Sequence, residues 1–231
     1  MNRISTRIRQ SLRDIYPPEE LKALTMMICC DMLGFDPLDI YLGKDMILSE
    51  CKERELENII FRLQKNEPIQ YIRGFAEFGG RKFKVAPGVL IPRPETAELV
   101  DWVVNENPGA HHLLDIGTGS GCIAISLDKR LPDADVEAWD ISEEALAIAR
   151  TNNEELESRV LFRQRDVLSD EWEKIPSFDV IVSNPPYVTE AEKDEMEANV
   201  LDWEPALALF VPDDDPLRFY RRIAALGREL L

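Results

Sequence analysis

The chain has 231 residues, 45% of them hydrophobic, and a formal net charge of −17. That content suffices for one packed domain or a small one beside a larger, and no stretch approaches the ~18 apolar residues of a membrane span. The charge is uneven: residues 1–80 hold 11 basic and 13 acidic side chains, so −15 lies beyond them, and a body that acidic repels a phosphate backbone.

Residues 4 to about 66 read as helices. Arg3, Arg7, Arg9 and Arg13 give the first a basic face; Arg3 and Arg7 are one turn apart. Solvated surface charge and a docking patch for an acidic or nucleic-acid-bearing partner both suit that face. Pro17-Pro18-Glu19-Glu20 opens a second helix, which stops near Gly34. Leu38, Ile40 and Tyr41 suggest a short third. Ser49 caps a fourth with the stripe Leu56, Ile59, Ile60 and Leu63. Nothing here resembles a catalytic cluster. Cys29, Cys30, Cys51 and Cys122 show no metal-ligand spacing and suit reduced thiols in the cytoplasm. With only His111 and His112 available, a histidine triad or a zinc centre has little to draw on; no metal site is expected.

From Pro68 the pattern changes. Phe75 to Val85 reads as a β-hairpin about Gly79-Gly80, and Pro94 is expected to open a helix carrying Leu99, Trp102 and Val103. His112 to Ile116 is a buried strand, Gly117-Thr118-Gly119-Ser120-Gly121 a sharp turn, and Cys122 to Leu127 a helix start: the first βα unit of a doubly wound fold. Val136 to Trp139 is a second strand ending at Asp140, and Ser142 caps the helix after it. Leu161 to Arg163 is a third strand before Asp166. Leu207 to Val211 is expected to be extended, and Pro216 to Leu231 helical.

The fourth strand organises the rest. Asp179 to Ser183 is an apolar, β-branched run that ends in Asn184-Pro185-Pro186-Tyr187. Proline donates nothing to a sheet ladder, so Asn184 is presented at the carboxyl end of a core strand, where open α/β sheets bind ligands. The Asn184 amide oxygen, the Pro185 carbonyl and the flat face of Tyr187 suit a planar NH2 group. The glycine turn is Gly-x-Gly-x-Gly, and the third glycine of a dinucleotide pattern would fall on Cys122. Asp115 also precedes it by two residues, an unwelcome charge beside a pyrophosphate but tolerable beside an ammonium and a sulfonium. S-adenosyl-L-methionine carries both, and Asp140 can accept from its ribose hydroxyls.

Five segments carry a family resemblance: Pro68-x-Gln70-Tyr71-Ile72-x-Gly74, Ile91-Pro92-Arg93-Pro94-Glu95-Thr96, Asp115 to Gly121, Asn184 to Tyr187, and Glu204-Pro205 with Ala206-Leu207. The chain resembles the peptide chain release factor N5-glutamine methyltransferases. The resemblance implies an α/β, Rossmann-like methyltransferase domain at 93–231, a helical substrate-recognition domain at 1–73 and a hairpin linker at 74–92. It implies a cytoplasmic enzyme that methylates the glutamine of a Gly-Gly-Gln motif in release factors. Gly117, Thr118, Gly119, Ser120, Gly121 and Asp140 would bind the cofactor, with Thr96 and Asn184 near it and Asp166 and Val167 near the adenine. Asn184, Pro185, Pro186 and Tyr187 would hold the glutamine amide, Asn184 and Pro185 as the catalytic pair.

The family continues past Leu231, so the resemblance also implies missing C-terminal strands. The expected sheet order is 3-2-1-4, with the Asn184 strand at an open edge. Two other readings keep the same motifs: an adenine-N6 DNA methyltransferase, disfavoured by the acidic charge, and a non-catalytic cofactor-binding module docking a translation factor, disfavoured by the intact Asn-Pro-Pro-Tyr. Neither stable DNA binding nor membrane association is expected.

Overall fold

The computed structural model describes residues 3–45, 47–169 and 175–231. The chain divides into two compact units, Met1–Arg73 and Gly74–Leu231.

The first unit is helical: α1 (Arg3–Leu12), α2 (Pro18–Met27), α3 (Pro37–Tyr41), α4 (Glu50–Leu63) and α5 (Ile69–Arg73). Ile4, Ile8 and Leu12 recur at helical spacing on α1 and are buried with Leu56, Ile59, Ile60 and Leu63 of α4. Asp36 caps α3 by accepting from the Leu38 N–H, and Ser49 caps α4 by accepting from the Lys52 N–H. The basic face of α1 is less available than its spacing suggests. Arg7 donates to Glu53 and Glu57 of α4 at 2.8 and 3.0 Å, and Arg13, beyond the end of α1, lies 3.6 Å from Asp14.

The second unit opens with the hairpin β1 (Phe75–Phe78) and β2 (Arg81–Lys84), followed by α6 (Thr96–Glu106). Pro94 starts a tight turn rather than α6 itself, for the Thr96, Ala97 and Glu98 N–H groups bond three residues back. Then come β3 (His112–Ile116), α7 (Cys122–Arg130), β4 (Asp135–Asp140), α8 (Glu143–Glu155), β5 (Leu161–Gln164) and β6 (Val180–Ser183). These four strands form a parallel sheet of order β5-β4-β3-β6, the expected 3-2-1-4. Its crossover chirality folds the intervening helices back onto the sheet.

One side of the sheet shares a core with α6, α7 and the hairpin, through Phe78, Phe83, Val100 and Ile125. The other packs Leu114, Ile116 and Trp139 against Leu226 and Leu230 of α11 (Arg218–Leu230), after β7 (Val188–Thr189), α9 (Ala198–Leu201), α10 (Ala206–Leu209) and β8 (Phe210–Val211). The Phe178 N–H donates to the Leu230 carbonyl at 2.7 Å, tying the start of β6 to the end of α11. The 207–211 segment departs from expectation. Ala-Leu-Ala-Leu, good helix formers behind Pro205, make the single turn α10. Only Phe210 and Val211 extend, and they pair in parallel with β7 in a separate small sheet. Within the four-stranded sheet, β6 pairs with β3 alone.

Candidate active site

The carboxyl ends of β3, β4 and β6 converge on a cavity of about 360 Å³, within the small-ligand range. Backbone bonds build its β3 side. The Gly117 and Thr118 N–H groups both donate to the Trp139 carbonyl at the end of β4, at 2.8 and 3.0 Å. Gly119, at φ +54°, donates to Asp140 Oδ2 at 2.8 Å; the other carboxylate oxygen accepts from the Ser142 N–H at 2.9 Å. Asp140 thus locks the glycine turn to the start of α8. Burial pushes its pKa up, against the three backbone N–H groups that hold it down. Of its roughly four lone-pair sites, about one stays open to a ligand.

Of the expected cofactor residues, Gly117, Gly119, Asp140, Asp166, Val167 and Asn184 line this cavity. Thr118, Ser120 and Gly121 do not. The Thr118 hydroxyl points inward and donates to Asp115 Oδ2 at 2.7 Å. Ser120 is buried, with its carbonyl accepting from Asn152 Nδ2 at 2.8 Å. Gly121 is a packing glycine: at φ +81°, a Cβ there would lie 3.0 Å from Ile125 Cδ1 and 3.3 Å from Ala149. Asp115 lies off the cavity wall, fully buried, and its Oδ1 has no hydrogen-bond partner among the described residues. Burial pushes this carboxyl up to about 7, although the Thr118 hydroxyl favours its ionised form.

The β6 side holds Asn184, Pro185 and Pro186 on the cavity wall. Ser183 anchors the approach, its hydroxyl donating to the Ile116 carbonyl at 2.6 Å. Asn184 Nδ2 donates to Thr96 Oγ1 at 3.4 Å, which leaves Asn184 Oδ1 for the cavity. Thr96, expected beside the cofactor, contacts the cavity-lining Asn184 without itself being part of the lining. Tyr187 is also off the wall and 59% exposed, so its ring does not floor the cavity.

Residues outside the glycine turn and the Asn-Pro-Pro-Tyr run complete the site. Gly88, Val89 and Leu90 wall one end and Pro205, Leu207 and Phe219 another. Trp139 also lines the cavity, with the Arg165 guanidinium 5.2 Å from its ring centroid. Asn152 supports the glycine turn from behind, accepting from the Lys84 N–H at 2.6 Å and donating to the carbonyls of Lys84 and Ser120. Trp139 carried a faint signal as the residue before a strand-terminal Asp; the others are assembled only by tertiary contacts. No group of three or more metal-ligating side chains occurs among the described residues, and no described helix is long and apolar enough to cross a membrane.

Residues 4–74 match the family described as the PrmC N-terminal domain, and residues 96–202 the family described as the Methyltransferase small domain. The chain is 79% identical over 231 residues to a release factor glutamine methyltransferase of Bacteroides thetaiotaomicron, covering all of this chain and 83% of that one. It is 43% identical over 227 residues to that of Flavobacterium psychrophilum, covering 96% of this chain and 79% of that one.

Proposed function

The chain belongs to the release factor glutamine methyltransferase family, and we propose a role for each part of its cavity in that family's reaction. It transfers a methyl group from S-adenosylmethionine to the side-chain amide nitrogen of a glutamine in a peptide chain release factor, the acceptor being the glutamine of a Gly-Gly-Gln motif. One observation carries the assignment of roles. Asn184, at the end of β6, spends its NH2 on Thr96 and keeps its oxygen for a cavity whose other wall is Gly117, Gly119 and Asp140.

The wall fits the donor. Gly117 and Gly119 bring bare backbone to the cavity, and the Asp140 carboxylate suits a ribose hydroxyl. When bound, S-adenosylmethionine supplies a methyl group already activated as a sulfonium. The protein adds position and charge stabilisation. An amide nitrogen is a weak nucleophile because its lone pair is delocalised into the carbonyl. Asn184 Oδ1 and the Pro185 carbonyl accept its two N–H bonds, and both bonds strengthen as the nitrogen gains positive charge and pyramidal geometry. Pro185 and Pro186 have no N–H to compete for those acceptors. The proton can leave to water, so no general base is required.

Residues 1–73 are assigned substrate recognition rather than chemistry. Methylation of a translation factor puts the enzyme in the cytoplasm, and the −15 beyond residue 80 opposes duplex DNA as the acceptor. Methyl transfer from labelled S-adenosylmethionine is to be measured with release factor and with an adenine-containing duplex in parallel. Label on the release factor glutamine supports the reading; label on the duplex, or on neither, refutes it.

A further inference from the structure

Glu204 is a carboxylate buried where no chemistry has been assigned to it. Its side chain is 1% exposed. Oε2 accepts from the Ile91 N–H at 3.0 Å and Oε1 from Arg93 Nη2 at 2.5 Å, across 113 and 111 residues of chain. A buried carboxylate is costly unless paired and hydrogen-bonded. A well-packed apolar side chain would serve stability as well, so the contacts point to a geometric purpose.

The two segments it joins supply cavity walls outside the glycine turn and the Asn-Pro-Pro-Tyr run. Immediately before Ile91 stand Gly88, Val89 and Leu90; immediately after Glu204 stand Pro205, Leu207 and Ala208; all six line the cavity. Three residues beyond Arg93 is Thr96, whose hydroxyl receives the Asn184 amide. On the far side, the chain that leaves Asn184-Pro185-Pro186-Tyr187 makes an excursion between β7 and β8, closed by pairing of Val188 with Phe210 and Thr189 with Val211. Glu204 pins that excursion from within.

We propose that Glu204, with Arg93, is a positioning residue for the methyl acceptor: a carboxylate strap that fixes the 88–96 segment and the 188–211 excursion at one spacing, and so aims Asn184 Oδ1 and the Pro185 carbonyl. It touches neither donor nor acceptor. Loosening it misaligns the acceptor without disturbing the Gly117–Asp140 side, because the donor wall is held by separate backbone bonds to β4. The rate of a pre-aligned bimolecular transfer is sensitive to displacements of this kind.

The inference rests on the reading above, and its test separates the two. Glu204→Gln keeps the shape and an acceptor for Ile91 but removes the charge that holds Arg93. Arg93→Ala removes the partner from the other end and leaves the buried Glu204 carboxylate held by the Ile91 N–H alone. Three quantities are to be measured for each variant and the parent: kcat and KM for release factor, S-adenosylmethionine affinity by calorimetry, and amide hydrogen exchange. The expected result is a kcat lower by tenfold or more, cofactor Kd within twofold, and exchange at 187–189 and 206–208 at least tenfold faster with β3 and β4 unchanged. Glu204→Asp, too short to hold both partners, should not restore kcat. Normal kcat and exchange in both variants would overturn the strap. So would parallel loss of cofactor affinity and kcat, the mark of general destabilisation. If the parent itself transfers no methyl to release factor, the functional reading fails, and the exchange pattern alone decides whether the strap exists.

Discussion

Asp115→Asn tests how the sheet bears a charge at its centre. The carboxyl is fully buried, one oxygen lacks a hydrogen-bond partner among the described residues, and its pKa is pushed up to about 7 from 3.8. Between those values the unfolded chain ionises while the folded chain keeps its proton. The unfolded state therefore binds fewer protons, and stability falls as pH rises from about 4 to 7, then levels off. A shift of that size corresponds to a penalty on the order of 4 kcal/mol at pH 8. Asparagine removes the charge and can still accept from Thr118, but its own NH2 takes the unpartnered position, which returns roughly 1–3 kcal/mol. The net expectation is a gain of about 2 kcal/mol at pH 8, roughly 4–8 °C in midpoint for a chain of this size, and no gain at pH 4. Urea unfolding of parent and variant at pH 4, 6 and 8 reads this directly. A variant destabilised equally at all three pH values would refute the reasoning, because the charge would then not be the cost.

Further outcomes follow from the same geometry. Asn184→Ala should lower methyl transfer by about 10²–10³, the usual loss for one charge-stabilising partner, with cofactor affinity within a few-fold; near-normal turnover removes Asn184 from the mechanism. Asp140→Ala should weaken S-adenosylmethionine binding before it affects the acceptor, and by more than Asp115→Asn does, since only Asp140 is on the wall; calorimetry on the two variants decides the order. Gly121→Ala should cost about 2–4 kcal/mol, from a left-handed backbone and the 3.0 Å approach to Ile125 together; an unchanged denaturant midpoint would mean the turn relaxes freely.

The parallel sheet and its order were legible because four apolar runs end in polar residues and alternate with helical stretches. Strand period and capping are local properties, visible in residues such as Ser142 and Ser49. The donor wall was half legible. Glycines mark where the backbone turns, but not which of them faces a ligand, and Gly121 turned inward because Ile125 and Ala149 pack against it. Thr96 was half legible for a related reason: sequence distance from the glycine turn does not disclose that its hydroxyl meets Asn184. The wall at 88–90 was illegible, and 205–208 showed only as part of a family segment, with nothing local to say that it faces a cavity. They are ordinary apolar or small residues, joined by a carboxylate that adjoins one wall and stands more than a hundred positions from the other. Arg7 illustrates the limit on surfaces, since a basic stripe at helical spacing does not disclose that a second helix already answers it.

The pairing of β7 with β8 closes the excursion at its neck, and only two residue pairs hold that neck. The stretch 190–203 lies outside the four-stranded sheet and ahead of the buried Glu204, so its length and composition can drift with little penalty to folding. Evolution therefore has a place to retune the protein partner, by insertion or exchange at 190–203, while the methyl donor stays fixed. An engineer seeking to redirect the enzyme to another glutamine would graft there first.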